Sequence, residues 1–286
     1  MKFSDFVKLV KFRLTFLVVF SASIAFLIGS RVDGHINWTN WAILIIGGFM
    51  VTAAANCFNE IIEKDLDQKM KRTSDRPLPA GRMTTGQALV IGLFMGILGT
   101  YLLQRLNLIT GFLSVFSIVF YAFIYTPLKR KGSIAVFVGA IPGALSPLIG
   151  YVAAHGKIDE ISLLLFAIQF MWQFPHFWAI AWVLDDDYKL AGFRLLPTGK
   201  RNLTSAIVTF VSALLLLPVS LLPTYYGYGG YYLGGVSLIC GLIFLYQAFN
   251  LARTCEVKAA QQLMFGSFLY LPIVQLMFLF DFIGKR

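Results

Sequence analysis

Long apolar segments recur along the chain from Leu14 almost to Ile283. Most are close to 20 residues long, which is enough for a helix to cross a hydrocarbon core about 30 Å thick. Because lipid offers a backbone no hydrogen bonds, such segments fold as helices that satisfy their own N–H and C=O groups. The pattern predicts nine membrane spans, at residues 14–30, 40–62, 86–104, 109–126, 134–154, 161–184, 204–223, 230–251 and 263–283.

The composition agrees with a membrane protein, since 58% of the residues are hydrophobic and 13% are charged. A soluble protein carries about twice that charged fraction. No soluble domain or long linker interrupts the apolar segments. We therefore expect an all-α integral membrane protein with a single domain over residues 1–286, in which about nine helices form one bundle around a central cavity.

Lysine and arginine are concentrated in alternate segments between the predicted spans. Nineteen of the 24 lie in the N-terminal segment and in the loops after spans two, four, six and eight. Cytoplasmic loops carry such an excess, so the pattern predicts a cytoplasmic N-terminus and an external C-terminus in a cell inner (plasma) membrane. The long polar loops 63–85, 127–133 and 185–203 share the cytoplasmic side, where we expect the cavity to open. Topology explains the net charge of +10, and we expect no nucleic-acid partner.

Oxygen-bearing side chains are aligned where the second span ends. Asn59, Glu63 and Asp67 are spaced i, i+4 and i+8, which places them on one face of a helix. Acidic groups at a membrane boundary are costly unless they are paired, hydrated or metal-bound. Mg²⁺ prefers oxygen ligands and is usually completed by substrate phosphates, so we expect these three residues to hold Mg²⁺.

Basic residues follow at once, and among them Arg72 and Arg76 are candidates to hold phosphate oxygens. A guanidinium can engage phosphate in a bidentate fork. Acids that hold magnesium beside arginines that hold phosphate describe a diphosphate site. A solvated loop that obeys the positive-inside rule is the alternative explanation for the basic residues.

The pattern Asn59-Glu60-x-x-Glu63-x-x-x-Asp67 resembles the first acidic motif of the UbiA-type intramembrane prenyltransferases. Members of that family usually carry Asp where this chain has Glu60 and Glu63. The continuation DLDQKMKRTSDRPL at 65–78 resembles one branch of the family, the protoheme IX farnesyltransferases. The resemblance extends from about residue 11 to residue 197 and is weak in the last three predicted spans.

The resemblance implies further roles on the same side of the membrane. Tyr125 and Lys129 match the Tyr-x-x-x-Lys element of the family, which implies contact with diphosphate and catalytic support of the leaving group. Arg130 is assigned to diphosphate as well, although a basic residue there can also anchor a helix end by snorkelling. The family often carries a later Asp-x-x-x-Asp, of which this chain retains Asp187 as a fourth metal ligand, with Val183 at the earlier position.

The segment QFPHFW at 173–178 resembles the heme-specific branch. His176 is expected inside the bundle, either as an axial ligand of heme iron or as a satisfied core residue. Trp172 is assigned to the porphyrin, with ordinary core packing as the alternative. At the N-terminus, Lys11 and Arg13 resemble a Lys-Pro-Arg element of the family with Phe12 in place of proline. Both basic residues can also be explained as topological anchors.

The resemblance implies an Mg²⁺-dependent prenyltransferase that transfers the farnesyl group of farnesyl diphosphate to a vinyl group of protoheme IX, giving heme O. The implied partners are these two substrates, the lipid bilayer and a downstream heme-modifying enzyme or terminal-oxidase assembly. One alternative is a UbiA-type enzyme that acts on an aromatic quinone precursor and lacks the signature at 173–178. Another is an ion-coupled transporter, which predicts two related halves, and no internal repeat is evident.

Overall fold

The computed structural model describes residues 2–284, and Met1, Lys285 and Arg286 lie outside this range. Within the range, nine helices are long and apolar enough to cross a membrane. In chain order, these first to ninth spans are Phe12–Val32, Trp38–Asp67, Thr85–Gln104, Leu108–Lys131, Ile134–His155, Glu160–Val183, Leu203–Tyr225, Tyr231–Thr254 and Val257–Phe280.

Each of the nine predicted spans corresponds to one of these helices, so the predicted all-α membrane fold is confirmed. The largest differences are at three ends: the second span continues to Asp67, the fourth continues to Lys131, and the ninth begins at Val257. Two short helices were not predicted. Phe3–Leu9 precedes the first span, and Asp185–Leu190 follows the sixth.

The fourth span changes its helical type as it approaches the loop 127–133. It is α-helical over Leu108–Val119, becomes a π-helix over Phe120–Tyr125, and ends in one α turn, Thr126–Leu128, and one 3₁₀ turn, Lys129–Lys131. The Thr126 hydroxyl donates to the Tyr121 carbonyl oxygen at 2.9 Å inside this segment. Single π turns are rare and often occur at functional sites.

The first span packs against the second, fifth and ninth spans. The fifth span also packs on the sixth, which in turn contacts the seventh and ninth. Gly150 permits the closest crossing, since a Cβ there would lie 2.0 Å from the carbonyl oxygen of Ala22. Glycine at such a crossing lets two membrane helices touch backbone to backbone.

A buried hydrogen-bond network joins four spans inside the bundle. The Ser21 hydroxyl donates to Gln169 Oε1 at 2.9 Å. Gln275 Nε2 donates to Ser21 Oγ and to Gln169 Oε1, both at 2.9 Å. Gln169 Nε2 donates to the carbonyl oxygen of Gly143 at 2.7 Å. Polar side chains of this kind connect membrane helices because lipid offers them no other partners.

The Gly150 crossing gives a stability prediction. We expect Gly150→Ala to lower the midpoint of thermal unfolding in detergent, because the new methyl group would displace the backbone of the first span. The cost of such overpacking is about 1–3 kcal/mol. Gly235→Ala is the matched control, since a Cβ there meets nothing within 4 Å. Equal midpoints for the two variants would contradict this account of the crossing.

Candidate active site

The polar residues at the end of the second span are all buried. Asn59, Glu60, Glu63 and Asp67 are each at most 3% exposed. The helix is continuous to Asp67, so the predicted alignment of Asn59, Glu63 and Asp67 along one face is confirmed. Carboxylates buried to this degree need a paired cation or a metal.

Two cations compensate these carboxylates. Lys129 Nζ lies 2.9 Å from Glu63 Oε1 and 3.0 Å from Glu63 Oε2. Arg76 Nη1 lies 2.6 Å from Asp67 Oδ2, and its Nε lies 3.7 Å from Glu60 Oε1. Lys129 comes from the end of the fourth span and Arg76 from the loop after the second, so the site depends on both elements.

A third cation, the Lys11 ammonium group, contacts Asn59. Its Nδ2 donates to Glu63 Oε2 and to Thr126 Oγ1, each at 3.0 Å. Its Oδ1 accepts a hydrogen bond from Lys11 Nζ at 2.5 Å. Burial lowers the pKa of Lys11, and the positive charge of Arg76 acts in the same direction.

These side chains surround a cavity at this end of the bundle. Its wall brings together seven of the predicted site residues with five others. The lining residues are Lys11, Asn59, Glu63, Asp67, Met70, Arg72, Arg76, Tyr125, Lys129, Tyr188, Phe193 and Leu195.

Two tyrosines support the basic side of the cavity. Lys129 Nζ lies 5.0 Å from the ring centre of Tyr125, and the Arg72 guanidinium lies 6.0 Å from that of Tyr188. Both distances fall within the range of cation–π attraction. The Tyr125 ring packs directly on Gly139 of the fifth span, where a Cβ would come within 2.5 Å of the ring. Glycine at this position therefore makes room for Tyr125 in the cavity wall.

Asp187 and Arg130 are not among the residues that line this cavity. The Asp187 carboxylate accepts the backbone N–H of Lys71 at 2.7 Å and that of Arg72 at 3.4 Å. It thereby ties the short helix Asp185–Leu190 to the loop that carries Arg72. Arg130 is exposed. Metal binding by Asp187 and diphosphate binding by Arg130 stay predictions.

His176 lies in the sixth span against the ninth, and its side chain is buried. Its ring stacks on Trp172, with ring centres 4.3 Å apart. Its Nδ1 lies 2.7 Å from Ser267 Oγ, whose own hydroxyl donates to the Met264 carbonyl oxygen at 2.5 Å. Ser267 Oγ is therefore the acceptor, and Nδ1 carries the proton. This tautomer leaves Nε2 as the nitrogen able to ligate a metal.

Sequence reasoning did not assign Lys11, Thr126 or Tyr188 to the site. Lys11 resembles part of a family element and can also be explained as a topological anchor, but its position beside the first span gives no indication of contact with the second. Tyr188 directly follows Asp187, and Thr126 directly follows Tyr125. Their position next to an assigned residue is the feature of the sequence that could have identified them.

The donors present fit a magnesium–diphosphate complex better than an all-protein metal site. Among residues 2–284, no three His, Cys, Asp or Glu side chains form a group that could hold a metal ion alone. Asp67 Oδ1 and both Glu60 oxygens are nevertheless buried without a hydrogen-bond partner. Mg²⁺ commonly takes one or two carboxylates and completes its octahedron with water and phosphate oxygens. Asn59, Glu63 and Asp67 would be the ligands that the protein supplies to Mg²⁺.

A second, mostly apolar cavity lies deeper in the bundle. Its wall comes from the first five spans and includes Val18, Gly48, Thr52 and Pro142. Thr52 and Asn59 lie on the same helix seven residues apart, which corresponds to about 10 Å along the axis. Neither His176 nor Trp172 lines either of these two cavities.

Proteins similar to this chain over almost its whole length carry one name. A protein from Cytophaga hutchinsonii named protoheme IX farnesyltransferase is 47% identical and covers 98% of both chains. A protein from Christiangramia forsetii with the same name is 42% identical and covers 97% of this chain and 93% of its own.

Solved structures show the same fold at low sequence identity. The structure of a digeranylgeranylglyceryl phosphate synthase aligns with a TM-score of 0.81 at 20% identity, covering 97% of both chains. A UbiA homolog from Archaeoglobus fulgidus bound to GPP and Mg²⁺ aligns with a TM-score of 0.61 at 12% identity, covering 96% of this chain and 99% of its own. The family model described as the UbiA prenyltransferase family matches residues 18–270. The chain therefore belongs to the UbiA prenyltransferase family.

Proposed function

We propose that this chain transfers the farnesyl group of farnesyl diphosphate to a vinyl group of protoheme IX, forming heme O and releasing diphosphate. The observation that carries the proposal is the full-length similarity, at 47% identity, to a relative named protoheme IX farnesyltransferase. The cavity at the end of the second span supports it, since its wall joins buried oxygen donors to a basic set. A downstream heme-modifying enzyme or terminal-oxidase assembly stays a prediction.

The basic side of the cavity suits a diphosphate. Arg72, Arg76 and Lys129 line the same wall as the acids, and Arg76 and Lys129 are already charge-paired there. Asn59, Glu63 and Asp67 would hold Mg²⁺, and the ion would supply a Lewis acid for the leaving diphosphate. Lys129 and the two arginines stabilise the charge that accumulates on the diphosphate oxygens as the leaving group departs.

The reaction breaks the allylic C–O bond, and diphosphate keeps the electron pair. The heme vinyl group attacks the farnesyl carbocation through its terminal carbon and forms the new C–C bond. A positive charge then develops on the vinyl carbon next to the porphyrin ring. Water adds at that carbon, loses a proton to solvent and becomes the hydroxyl group of heme O. The buried, tyrosine-lined wall limits premature capture of the first cation by water.

The deeper cavity is the proposed place for the farnesyl chain. It is mostly apolar, and it shares the second span with the acidic cavity at a separation of about 10 Å. A farnesyl chain gains free energy from leaving water for such a cavity, as any apolar surface does. This arrangement would leave the allylic carbon at the acidic cavity while the tail lies deeper in the bundle.

His176 is the proposed axial ligand of heme iron. Its Nδ1–H is engaged by Ser267 Oγ, which fixes the tautomer and leaves Nε2 for the metal. Histidines that ligate metals commonly donate their other ring N–H in this way. Trp172, stacked on the same ring, is proposed to contact the porphyrin.

The chain is a multi-pass membrane protein, and we propose that its N-terminus and the acidic cavity face the cytoplasm while the C-terminus lies outside. The excess of Lys and Arg in alternate segments supports this orientation. The cell inner membrane is the proposed location.

Heme analysis tests the function. In a host without its own heme O synthase, we expect the wild-type chain to yield heme O in extracted hemes, measured by mass spectrometry. Glu63→Gln and Asp67→Asn should each lower the yield by about 100-fold or more, as losses of charge-stabilising groups do. Asp65→Asn is the control, because it removes an equal charge from an exposed position on the same helix. The proposed reaction would be refuted if the wild-type chain is present in the membranes and the extracted hemes contain no heme O.

The heme ligand gives a spectroscopic prediction. We expect His176→Ala to shift the Soret band of protein-bound heme B and to weaken heme binding to the purified protein, because Nε2 is lost. His35→Ala is the control, since His35 is exposed and its ring bonds to a backbone carbonyl at 3.3 Å. An unchanged Soret band in His176→Ala would exclude this residue as the axial ligand.

Labelling with a membrane-impermeant thiol reagent tests the orientation. In a background with Cys240 and Cys255 replaced by serine, we expect Lys157→Cys to react in cells whose inner membrane is intact. The reagent must reach the outer face of that membrane, so the cells either have a permeabilised outer membrane or lack an outer membrane. Lys69→Cys should react after the inner membrane is opened. Both side chains are exposed in the structure. The reverse labelling pattern would invert the proposed topology.

A further inference from the structure

Lys11 stands at an unusual backbone position between the short helix Phe3–Leu9 and the first span. Its φ of 47° makes it one of two non-glycine residues with positive φ among residues 2–284. A residue with a Cβ is strained there and persists when its surroundings over-determine it. Such strain is a reason to ask what the side chain does.

Hydrogen bonds from the first and second spans fix the turn that contains Lys11. The carbonyl oxygen of Val10 accepts the Thr15 hydroxyl at 2.6 Å and Asn56 Nδ2 at 3.3 Å. Asn56 Nδ2 also lies 3.2 Å from Thr15 Oγ1. The residue just before Lys11 is thus fixed to a helix that also carries Asn59, one turn further along.

A strap of ion pairs holds the preceding short helix on the loop that follows the second span. Arg82 Nε lies 2.9 Å from Asp5 Oδ1, and Arg82 Nη1 lies 2.9 Å from Asp75 Oδ1. Lys8 Nζ lies 2.5 Å from Asp75 Oδ2. Hydrogen bonding to Arg82 lowers the pKa of Asp5, and hydrogen bonding to Lys8 and Arg82 lowers that of Asp75. The strap therefore connects the segment that ends in Lys11 to the loop that carries Arg72 and Arg76.

The ammonium group of Lys11 is directed at a single oxygen. It donates to Asn59 Oδ1 at 2.5 Å, while the amide nitrogen of Asn59 is occupied by Glu63 and Thr126. The amide cannot turn without losing both of those bonds. Asn59 Oδ1 is also the one atom of this residue that could ligate a metal.

Each aligned donor thus has its own cation in the structure. Asn59 has Lys11, Glu63 has Lys129 and Asp67 has Arg76. The three cations are not equivalent. Lys11 bonds a neutral amide, whereas Lys129 and Arg76 pair with carboxylates, so moving Lys11 breaks no ion pair. A lysine ammonium is a compact charge on a flexible stem, which suits a group that changes partners.

We infer that Lys11 occupies Asn59 Oδ1 in place of a divalent cation, leaves it when the metal binds, and then joins the cations that hold diphosphate. The inference rests on the proposed metal–diphosphate site. It makes Lys11 a binding residue of the site as well as a placeholder within it. No bond is made or broken other than hydrogen bonds and metal coordination.

Metal binding without substrate tests the placeholder role. The probe is Mn²⁺, with free ion measured by electron paramagnetic resonance on the purified full chain. We expect Lys11→Met to bind Mn²⁺ on the order of tenfold more tightly than wild type, the size of coupling between groups in contact. Lys8→Met is the matched control, because it removes the same charge from the strap and should change the affinity little. Lys11→Gly, which suits the positive φ, is the second variant should Lys11→Met fold poorly.

A double-mutant cycle separates the contact from the charge. In an Asn59→Ala background, the gain from Lys11→Met should largely disappear, because the oxygen that Lys11 blocks is gone. A gain of equal size in that background would mean that Lys11 acts through charge alone and would overturn the inference. Equal Mn²⁺ affinity in wild type, Lys11→Met and Lys11→Gly would overturn it as well.

Diphosphate tests the second half of the inference. With Mn²⁺ saturating, we expect Lys11→Met to bind inorganic diphosphate several-fold more weakly than wild type, because one cation of the pocket is missing. Unchanged diphosphate affinity would overturn that half. If neither wild type nor the Lys11 variants bind Mn²⁺, with or without diphosphate, the proposed metal site itself fails. If wild type binds Mn²⁺ and the variants bind it no better, the placeholder role alone fails.

Discussion

The structure depends on the compensation of three buried acidic side chains at the end of one membrane helix. Glu60, Glu63 and Asp67 are at most 3% exposed, and charges in such surroundings need partners. The partners come from two other elements: Lys129 lies 66 residues further along the chain than Glu63, in the fourth span, and Arg76 lies in the loop after the second span. The loop over residues 68–84 places Arg76 beside the acids, and the helix Asp185–Leu190 holds that loop through Asp187. Much of the conformation of this end of the bundle therefore serves to place the cations.

The same constraint connects stability to function. In the structure, the cations neutralise the acids and allow them to remain buried. With a diphosphate complex in the cavity, the acids would face the metal and the cations the phosphate oxygens. A single set of charges can therefore serve both states, because a magnesium–diphosphate complex itself brings positive and negative charge together. The site need not assemble its charges when substrate arrives.

Features governed by local rules could be predicted from the sequence, and features governed by distant contacts could not. The nine spans follow from hydropathy, because lipid requires a helix wherever an apolar segment crosses it. The shared face of Asn59, Glu63 and Asp67 follows from the helical period. The Lys11–Asn59 contact joins residues 48 positions apart through a turn with positive φ, which no local pattern indicates. Asp187 bonds to backbone N–H groups, which every residue except proline offers, so its partners could not be read from side chains.

The π-helical segment Phe120–Tyr125 has a consequence for how chains of this family are compared. Successive residues of an α-helix are rotated by about 100° around its axis. A π-helix closes each hydrogen bond over one residue more than an α-helix, so its residues are rotated by less, and the segment takes up an extra residue without turning Lys129 away from Glu63. A relative that lacks this residue and is α-helical throughout would present its lysine to the same neighbour. Chains of this family can therefore differ in length by one residue ahead of the Tyr-x-x-x-Lys motif and still build the same site.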